Sequence, residues 1–452
     1  MKQRYHFVGI GGAGMSALAR VLAARGESVS GSDMADSPTR AALERELGVP
    51  IPVGHQASNV GDATEVVASA AIKDANPELV YARAKGIPVI SRAAMLGRVM
   101  NLHADRIAVS GTHGKTTTSG MLAVVLEDAG LDPTALIGGD VVGWGANARV
   151  GNSGVFVAEA CEAFGSFLEL HPTISIVTNI EADHLDHYGT LNAIVDAFCQ
   201  FLASTTRLVV LSADDPHTPE VRGAAGGRVV TVGLSADADL RGAPKTGQTF
   251  EVFQAGQRLG DATLNIPGVH NVRNALAVIA VAMELGVPFD RIVHGLAKFH
   301  GTGRRYEKLG ETADGILVID DYAHHPTEIR ATLAAARKAE PSRRIVAVFQ
   351  PHLPSRTRDQ LGEFAISFKD ADIVVQTDIY LSREQPIPGL DGSVLAMETR
   401  RHSEPGKVIY VADKGELPQR IAEIAKPGDL VLTLGAGDIR AAGEGFLRLL
   451  NA

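Results

Sequence analysis

A glycine-rich segment with a lysine and neighbouring threonines is the part of the sequence that most directly indicates chemistry. It directly follows the apolar segment 107–110 and consists of Gly111, Thr112, His113, Gly114, Lys115, Thr116 and Thr117. In such a loop the backbone N–H groups and the lysine bind phosphates, and a threonine hydroxyl can ligate Mg²⁺. The usual GxxxxGK[ST] spacing is not met, because Val109 stands at the first glycine position. The segment therefore predicts a tighter phosphate loop (residues 111–117) that binds ATP.

Acidic and histidine side chains follow two other apolar segments. Glu159 ends the predicted strand 154–158, and His184 closes the run TNIEADH beyond the predicted strand 173–178. An acid at the carboxyl end of a strand beside a phosphate loop is where Mg²⁺ is usually held. A lone histidine is more often structural, but the position of His184 in a phosphate-binding domain favours a functional role.

The N-terminus carries a second glycine-rich turn. Residues 9–14, the glycine turn, have the G-x-G-x-x-G spacing between a predicted strand (5–10) and a helix, and Asp33 follows the next predicted strand (27–32). This is the dinucleotide-binding fingerprint. The glycines indicate only that a pyrophosphate can approach the backbone, so NAD(P) and another nucleotide conjugate both remain open. Gly54-His55 and Ser69-Ala70 also lie at strand ends, where they are either ligand contacts or turns.

The last third of the chain repeats this pattern of polar clusters after apolar strands. The cluster Asp320–Glu328 follows the predicted strand 316–319, and Gln350-Pro351-His352 follows the predicted strand 344–349. Gly303-Arg304-Arg305 precedes them at a predicted hinge, as a solvated linker or as phosphate contacts. Because ligands bind at the carboxyl ends of strands in open α/β sheets, these clusters predict a further site.

Composition restricts the class of protein. The chain has 452 residues, 21% charged residues and a net charge of −9, which argues against a general nucleic-acid binder and a polybasic membrane patch. Cys161 and Cys199 are the only cysteines, so neither a disulfide framework nor a zinc cluster is indicated. No apolar run approaches a membrane span and no signal peptide is evident, so we expect a cytoplasmic protein without membrane insertion.

Strands and helices must alternate to position these motifs. The pattern predicts an α/β protein with three domains: a Rossmann-like N-terminal domain (1–98), a central P-loop mononucleotide-binding domain (99–302) and a Rossmann-like C-terminal domain (303–452). The segment 250–266, with Gly256 at its turn, predicts an antiparallel hairpin attached to the central sheet.

Several unconnected motifs together resemble the Mur ligases of peptidoglycan synthesis, nearly from end to end. The segments that carry the resemblance are GIGGAGMSALA, GTHGKTTT, TNIEADHLDHY, PGVHNVRNALA, DDYAHHPTEI, FQPH with SRTRD, and LGAGDI. Within the family the sequence is most similar to the branch that adds L-alanine to UDP-N-acetylmuramate. The murein tripeptide-recycling ligase, or another Mur-type amino-acid ligase, is the alternative.

The resemblance implies a role for each matching residue. The UDP-sugar would contact Gly9, Gly11, Gly12, Gly14, Asp33, His55, Ser69 and Ala70. ATP would contact Gly111, Thr112, His113, Gly114, Lys115, Thr116, Thr117, His270, Asn271, Asn274, Arg305 and Asp321. Thr116 and Glu159 would hold one Mg²⁺ and His184 a second, and the catalytic residues would be Lys115, His184, His324 and Arg356.

The chain departs from the family pattern at three positions and lacks one lysine. Cys161 and Phe164 replace acids of the family's EADESD segment, and Leu353 replaces an arginine after FQPH. No lysine lies between His184 and Phe201, where several sister ligases carry a carbamylated lysine, and we expect the alanine-adding branch to lack it. Arg383, which follows another strand of the third domain, is a candidate to supply the charge that Leu353 lacks; a solvated surface arginine is the alternative.

The implied reaction suits these residues. A carboxylate is a poor electrophile, whereas an acyl phosphate formed with the γ-phosphoryl group of ATP has a good leaving group, and the site needs metals and a lysine to neutralise charge. An NAD-dependent oxidoreductase leaves Lys115 and Glu159 unexplained, and a nucleotide-switch module needs no third domain. We therefore expect ATP, Mg²⁺, UDP-N-acetylmuramate and L-alanine as ligands, no nucleic acid, and a monomer or homodimer.

Overall fold

The computed structural model describes residues 3–69 and 71–450, in which three β-sheets are flanked by helices. Contacts divide the chain into two compact units. The first unit comprises residues 1–243, 250–263 and 273–300, and it contains the first sheet and nearly all of the second. The second unit comprises residues 244–249, 264–272 and 301–452, and it contains the third sheet.

The first sheet has four parallel strands in the order β2-β1-β3-β4. Its strands are β1 (Arg4–Val8), β2 (Ser28–Ser32), β3 (Glu65–Ala68) and β4 (Val89–Ser91). Its helices are α1 (Ala13–Ala24), α2 (Pro38–Leu47), α3 (Pro77–Ala84) and α4 (Arg92–Met100). The sequence predicts the first strand as far as Ile10, but β1 ends at Val8 because Gly9 turns the chain with a φ of 82°. The N–H groups of Gly9 and Ile10 both donate to the Ser32 carbonyl, which closes the turn.

The second sheet has ten strands in the order β14-β13-β12-β11-β10-β9-β5-β8-β6-β7. The strands are β5 (Asp105–Ser110), β6 (Thr134–Val141), β7 (Ala146–Arg149), β8 (Val155–Glu159), β9 (Ile174–Val177), β10 (Leu208–Ser212), β11 (Arg228–Gly233), β12 (Leu240–Pro244), β13 (Thr249–Gln254) and β14 (Gln257–Thr263). The seven neighbouring strands β12, β11, β10, β9, β5, β8 and β6 pair in parallel. The edge strand β7 is antiparallel to β6. The hairpin predicted for residues 250–266 is present as β13 and β14, with Gly256 at its turn in a left-handed conformation.

The helices of this part are α5 (Lys115–Asp128), α6 (Leu185–Tyr188), α7 (Leu191–Ala203), α8 (Thr218–Arg222), α9 (Val269–Glu284) and α10 (Phe289–Leu296). Gly130 ends α5: it is left-handed, with a φ of 84°, and the Leu131 N–H bonds the Leu126 carbonyl. Asp128 bonds His294 and Lys298, each at 2.6 Å, so the end of α5 is attached to α10 and to the turn after it.

The third sheet has six strands in the order β15-β16-β20-β17-β18-β19. The strands are β15 (Glu307–Glu311), β16 (Leu317–Asp321), β17 (Ile345–Phe349), β18 (Ile373–Gln376), β19 (Val408–Tyr410) and β20 (Leu430–Leu434). The helices are α11 (Pro326–Ala339), α12 (Pro354–Asp359), α13 (Leu361–Ala365), α14 (Gly392–Arg401), α15 (Leu417–Ile424) and α16 (Arg440–Leu450). Only β15 is antiparallel to its neighbour among these strands.

Burial follows from this architecture. Strands β16, β17 and β20 consist entirely of buried residues, as expected for central parallel strands with helices on both faces. The described helices include none with the length and apolarity needed to cross a membrane.

Candidate functional site

The shape of the phosphate loop depends on its glycines. Gly111 has a φ of 126°, and a Cβ atom there would collide with the Thr178 hydroxyl, so no larger residue fits. Gly114 has a φ of 83° and directly precedes α5. A Cβ atom at Gly114 would lie 2.9 Å from the Asn274 amide oxygen. The loop therefore brings backbone N–H groups to the N-terminus of a 14-residue helix, an arrangement that favours a bound anion.

Side chains from the segment after β9 hold this loop in position. The His113 N–H donates to the Asn179 side chain at 2.8 Å, and the Asn179 amide donates to the His113 carbonyl at 3.1 Å. The Thr178 hydroxyl also donates to the His113 carbonyl, at 2.5 Å. Neighbouring side chains therefore hold the loop in position.

Lys115 is the cation of the loop, and its ammonium group has three acceptors. Its Nζ donates to the carbonyls of Gly111 at 2.6 Å and Thr112 at 2.9 Å, and it pairs with the Glu162 carboxylate at 2.9 Å. Burial is the largest effect on the pKa of Lys115 and would lower it, but Glu162, Cys161 and Glu159 together outweigh burial, and the net shift is upward. Lys115 is therefore charged throughout the physiological pH range.

Two pairs of possible metal ligands lie beside the loop. The Thr116 hydroxyl donates to Glu159 Oε2 at 2.8 Å, and the same oxygen accepts the Gly138 N–H at 3.0 Å. A hydroxyl and a carboxylate are oxygen donors of the kind that Mg²⁺ prefers, so this pair fits the ion. His184 adopts a left-handed φ of 53°, and its Nε2 lies 3.7 Å from Glu162 Oε1. The structure therefore places Thr116 with Glu159, and His184 with Glu162.

Two other residues predicted to contact ATP lie at the start of α9. His270 and Asn271 belong to the second unit, and the Asn271 side chain donates to the Pro267 carbonyl at 2.6 Å. Asn274 belongs to the first unit and lies beside Gly114.

The glycine turn is closed by Asp33. The Asp33 carboxylate accepts the Gly11 N–H at 2.8 Å and the Ala35 N–H at 3.0 Å, so the acid of the fingerprint holds the turn itself. Gly14 lies against the Arg92 guanidinium, because a Cβ at Gly14 would be 2.8 Å from Arg92 NH1. No sequence motif marks Arg92, which adds a cation beside a turn that suits a pyrophosphate.

The remaining residues predicted for the UDP-sugar lie near the same end of the sheet. The Gly54 N–H donates to the Asp33 carbonyl at 2.7 Å, which places His55 next to the turn. Ser69 directly follows β3, and its N–H bonds the Val8 carbonyl. Ala70 lies outside the described residues.

One hairpin connects the glycine turn to the Thr116–Glu159 pair within the first unit. Gly138, which bonds Glu159, lies on β6, and Asn147 lies on β7, which pairs with β6. The Asn147 amide donates to the Ala13 carbonyl at 2.7 Å, and Ala13 belongs to the turn and is also the first residue of α1. Arg20 of α1 donates to the other end of the Asn147 amide at 3.2 Å.

In the second unit, Asp321 is buried at the end of β16. Its carboxylate accepts the N–H groups of Tyr306 and Ala323, each at 2.8 Å. Burial raises the pKa of Asp321 to about 6, and the nearby Arg305 opposes this shift. Arg305 also lies 3.3 Å from Glu328 and over the Tyr322 ring.

His324 is oriented by its neighbours. Its Nδ1 lies 2.9 Å from the Tyr322 carbonyl and 3.3 Å from Glu328 Oε2. Because both atoms are acceptors, Nδ1 carries the proton, and a neutral His324 has its lone pair on Nε2. Glu328 also accepts the N–H groups of His324 and His325 at the start of α11.

Arg356 lies close to a stack of rings. Its guanidinium is 3.3 Å from His352 Nδ1, and the His352 ring is stacked on Tyr380 with a centroid separation of 5.8 Å. Leu353 is buried and has a left-handed φ of 68°. Arg383 is exposed, and it lies on a loop attached to the start of α12, because Glu384 accepts both the Ser355 N–H and hydroxyl.

Family models cover most of the chain. The model described as Mur ligase family, catalytic domain, matches residues 4–104. The Mur ligase middle domain matches residues 109–282, and the Mur ligase glutamate ligase domain matches residues 304–437. The chain belongs to the Mur ligase family.

Relatives within the Mur ligases match over the full length. A UDP-N-acetylmuramate–L-alanine ligase of Trichlorobacter lovleyi is 50% identical, with 99% of each chain covered. The crystal structure of a UDP-N-acetylmuramate–alanine ligase from Thermotoga maritima is 33% identical, with a TM-score of 0.85 and 99% of each chain covered. A murein peptide ligase from Psychrobacter arcticus is 27% identical, with a TM-score of 0.74 and coverage of 99% of this chain and 98% of that one. The resemblance and the three-part α/β fold predicted from the sequence are therefore confirmed.

Two further acids of this Mur ligase were missed as site residues. Glu162 is the partner of Lys115, and only its position three residues after Glu159 could have indicated it. Glu328 accepts N–H groups at the start of α11, and the sequence HPTE carried a signal for it, because an acid at the third helical position closes a capping box.

Proposed function

We propose that this Mur ligase joins the amino group of L-alanine to the carboxylate of UDP-N-acetylmuramate and converts ATP to ADP and phosphate. The observation that carries the proposal is the 50% identity over the full chain to a relative of that name. The fixed phosphate loop with its buried Lys115–Glu162 pair supports the ATP-dependent part of the reaction. We also propose that the three domains are divided after residues 98 and 302 and that the protein is cytoplasmic.

The residues of the first unit suit binding of the two phosphorylated substrates. The glycine turn, with Arg92 beside Gly14, would take the pyrophosphate of the UDP-sugar. Lys115 and the loop N–H groups would bind the ATP phosphates, and Thr116 with Glu159 would hold Mg²⁺. The ion would supply positive charge that offsets the charge developing on the transferred phosphoryl group.

The residues of the second unit suit binding and deprotonation of the amino acid. A guanidinium such as that of Arg356 binds a carboxylate most effectively, in a bidentate manner. The ammonium group of L-alanine must lose a proton before it attacks the acyl phosphate. His324 can accept that proton at Nε2, and Glu328 close to Nδ1 would stabilise the imidazolium. Attack then forms the amide bond and releases phosphate.

The test is phosphate release with UDP-N-acetylmuramate, L-alanine, ATP and Mg²⁺, with each component omitted in turn and the product identified by mass. We expect release only with all four present, and a product heavier by one alanyl residue. Phosphate release with the murein tripeptide but not with L-alanine would assign the chain to the recycling branch. Hydride transfer to or from NAD without phosphate release would contradict the proposal.

A further inference from the structure

A carboxylate is buried beneath the glycine turn, and four donors surround it. Glu78, on α3, is 0% exposed. Its Oε1 accepts the Asn59 amide at 2.6 Å and the Gln56 N–H at 3.2 Å, and its Oε2 contacts the Ser32 hydroxyl at 2.7 Å and His6 Nε2 at 3.2 Å. Burial alone would raise the pKa of Glu78, but hydrogen bonds from His6, Ser32 and Asn59 outweigh burial and lower it. Glu78 is therefore an anion that only accepts hydrogen bonds.

The positions of the protons around Glu78 determine the tautomer of His55. The Ser32 hydroxyl has one proton, which it donates to Glu78, so Ser32 must accept the hydrogen bond from His55 Nδ1, 2.9 Å away. His55 Nδ1 therefore carries a proton. Among the residues that the structure describes, no hydrogen-bond partner contacts His55 Nε2, and the side chain is only 7% exposed. Because a buried N–H without a partner is costly, the tautomer with its proton on Nδ1 is favoured, and in that tautomer Nε2 is an unused acceptor.

His55 is attached to the same residue, Ser32, that closes the glycine turn. The Ser32 carbonyl holds the N–H groups of Gly9 and Ile10, while the Ser32 hydroxyl holds His55. Two exposed apolar residues lie on the segments that carry Ser32 and His55: Met34, two residues after Ser32, is 66% exposed, and Val53, two residues before His55, is 51% exposed and bridges to Asp33. Apolar surface with a few fixed polar groups is the composition of a site for a flat organic ring.

We propose that Glu78 is a positioning residue that acts through Ser32 to keep His55 protonated at Nδ1, so that His55 Nε2 accepts the imide N3–H of uracil. The proposal rests on the proposed function, which supplies a uridine nucleotide as substrate. Cytosine carries an acceptor at N3, so it would place two acceptors against each other. The Glu78–Ser32–His55 relay therefore selects uracil over cytosine.

The first test determines the tautomer of His55 by two-bond ¹H–¹⁵N spectroscopy of histidine-labelled protein. We expect the pattern of a neutral ring protonated at Nδ1. In Glu78→Gln the amide can donate to Ser32, so the Ser32 proton turns to His55 Nδ1 and the His55 proton moves to Nε2. A wild-type ring protonated at Nε2, or at both nitrogens, at neutral pH would overturn the proposal.

The second test measures binding of UDP, CDP and N3-methyl-UDP by calorimetry. Wild-type protein should bind UDP at least about tenfold more tightly than either analogue, since a mismatched buried acceptor costs the desolvation of that group. This ratio should fall close to one in Glu78→Gln. It should fall in part in Ser32→Ala, which removes the hydroxyl of the relay but leaves Glu78 Oε2 3.6 Å from His55 Nδ1. Glu65→Gln is the matched control, because Glu65 is also buried in this sheet but pairs with Arg98, and it should keep the wild-type ratio.

The outcomes separate this proposal from the proposed function. An unchanged UDP-to-CDP ratio in both folded variants overturns the relay, even if the enzyme forms product from UDP-N-acetylmuramate. Wild-type protein that binds neither UDP nor CDP and forms no product contradicts both proposals. If Glu78→Gln does not fold, the ratio in Ser32→Ala decides.

Discussion

Replacing Lys115 should affect stability and catalysis by different routes, and a second substitution should separate them. The Lys115–Glu162 pair joins atoms 2.9 Å apart, with side chains only 12% and 4% exposed. At an effective dielectric constant of about 20, the Coulomb energy of two charges at this distance is about 6 kcal/mol before desolvation. Lys115→Ala leaves the Glu162 carboxylate buried without its cation, and breaking such a pair costs about 3–5 kcal/mol.

The double variant Lys115→Met/Glu162→Gln replaces both charges by neutral groups of similar size. Replacing a whole buried pair is often nearly neutral, so it should recover most of the stability that Lys115→Ala loses. Both variants should be at least about a hundredfold slower than the wild type in phosphate release, because both lack the contact between Lys115 and the phosphate. Thermal unfolding and phosphate release, measured on the same preparations, test the two effects.

Two results would refute this reasoning. If Lys115→Ala melts like the wild type, the ion pair does not support the fold, and the loop backbone alone is sufficient. If the double variant is no more stable than Lys115→Ala, the loss comes from the carbonyl contacts of Lys115 instead. Turnover near the wild-type rate in either variant would remove Lys115 from the phosphate site.

Three further predictions concern the other clusters. Gly11→Val brings a side chain against Asp33, since even a Cβ would lie 2.9 Å from the carboxylate. The KM for the UDP-sugar should therefore rise at least about tenfold, while the KM for ATP stays unchanged. An equal rise in both KM values would indicate misfolding. The pKa of Asp321 is raised to about 6 in the folded state, so its protonation contributes fully to stability below about pH 4. This contribution is lost as the pH rises through 6. Chemical denaturation should therefore show Asp321→Asn gaining about 2–3 kcal/mol relative to wild type between about pH 4.5 and 7.5, and a constant difference would contradict the shift. Arg383→Ala should raise the KM for L-alanine about tenfold, since a bond to a charged group contributes ~1.5–3 kcal/mol, and an unchanged KM would leave Arg356 as the carboxylate partner.

Local sequence rules predicted most of the fold. The strand before the phosphate loop and the end of α5 at Gly130 follow from residue types, because a strand–glycine–helix transition and a left-handed glycine are local events. The helix start at Pro326 follows from the preference of proline for the first turn. Strand ends differ by one or two residues, as at Val8, because the partner strand determines where pairing stops.

The site was less predictable, because its contacts join distant segments. Asp33 matched the fingerprint of a ribose-binding acid, yet it bonds the Gly11 N–H 22 residues away, which only the paired strands reveal. The partnership of Lys115 with Glu162 depends on β5 and β8 being adjacent, and the sequence does not specify strand order. Arg92 reaches Gly14 from the first residue of α4, and no local pattern marks it.

The hairpin of β6 and β7 determines where changes in chain length can be tolerated. Its turn, residues 142–145, lies beyond both contact points, so an inserted residue there should lengthen only a loop. An insertion between Thr134 and Gly138 would instead shift Gly138 away from Glu159 while Asn147 stayed with Ala13. The same hairpin would then hold the glycine turn and the Thr116–Glu159 pair out of register by one residue, about 3.3 Å along a strand. Active homologues should therefore vary in length at the turn and keep the length of the strand.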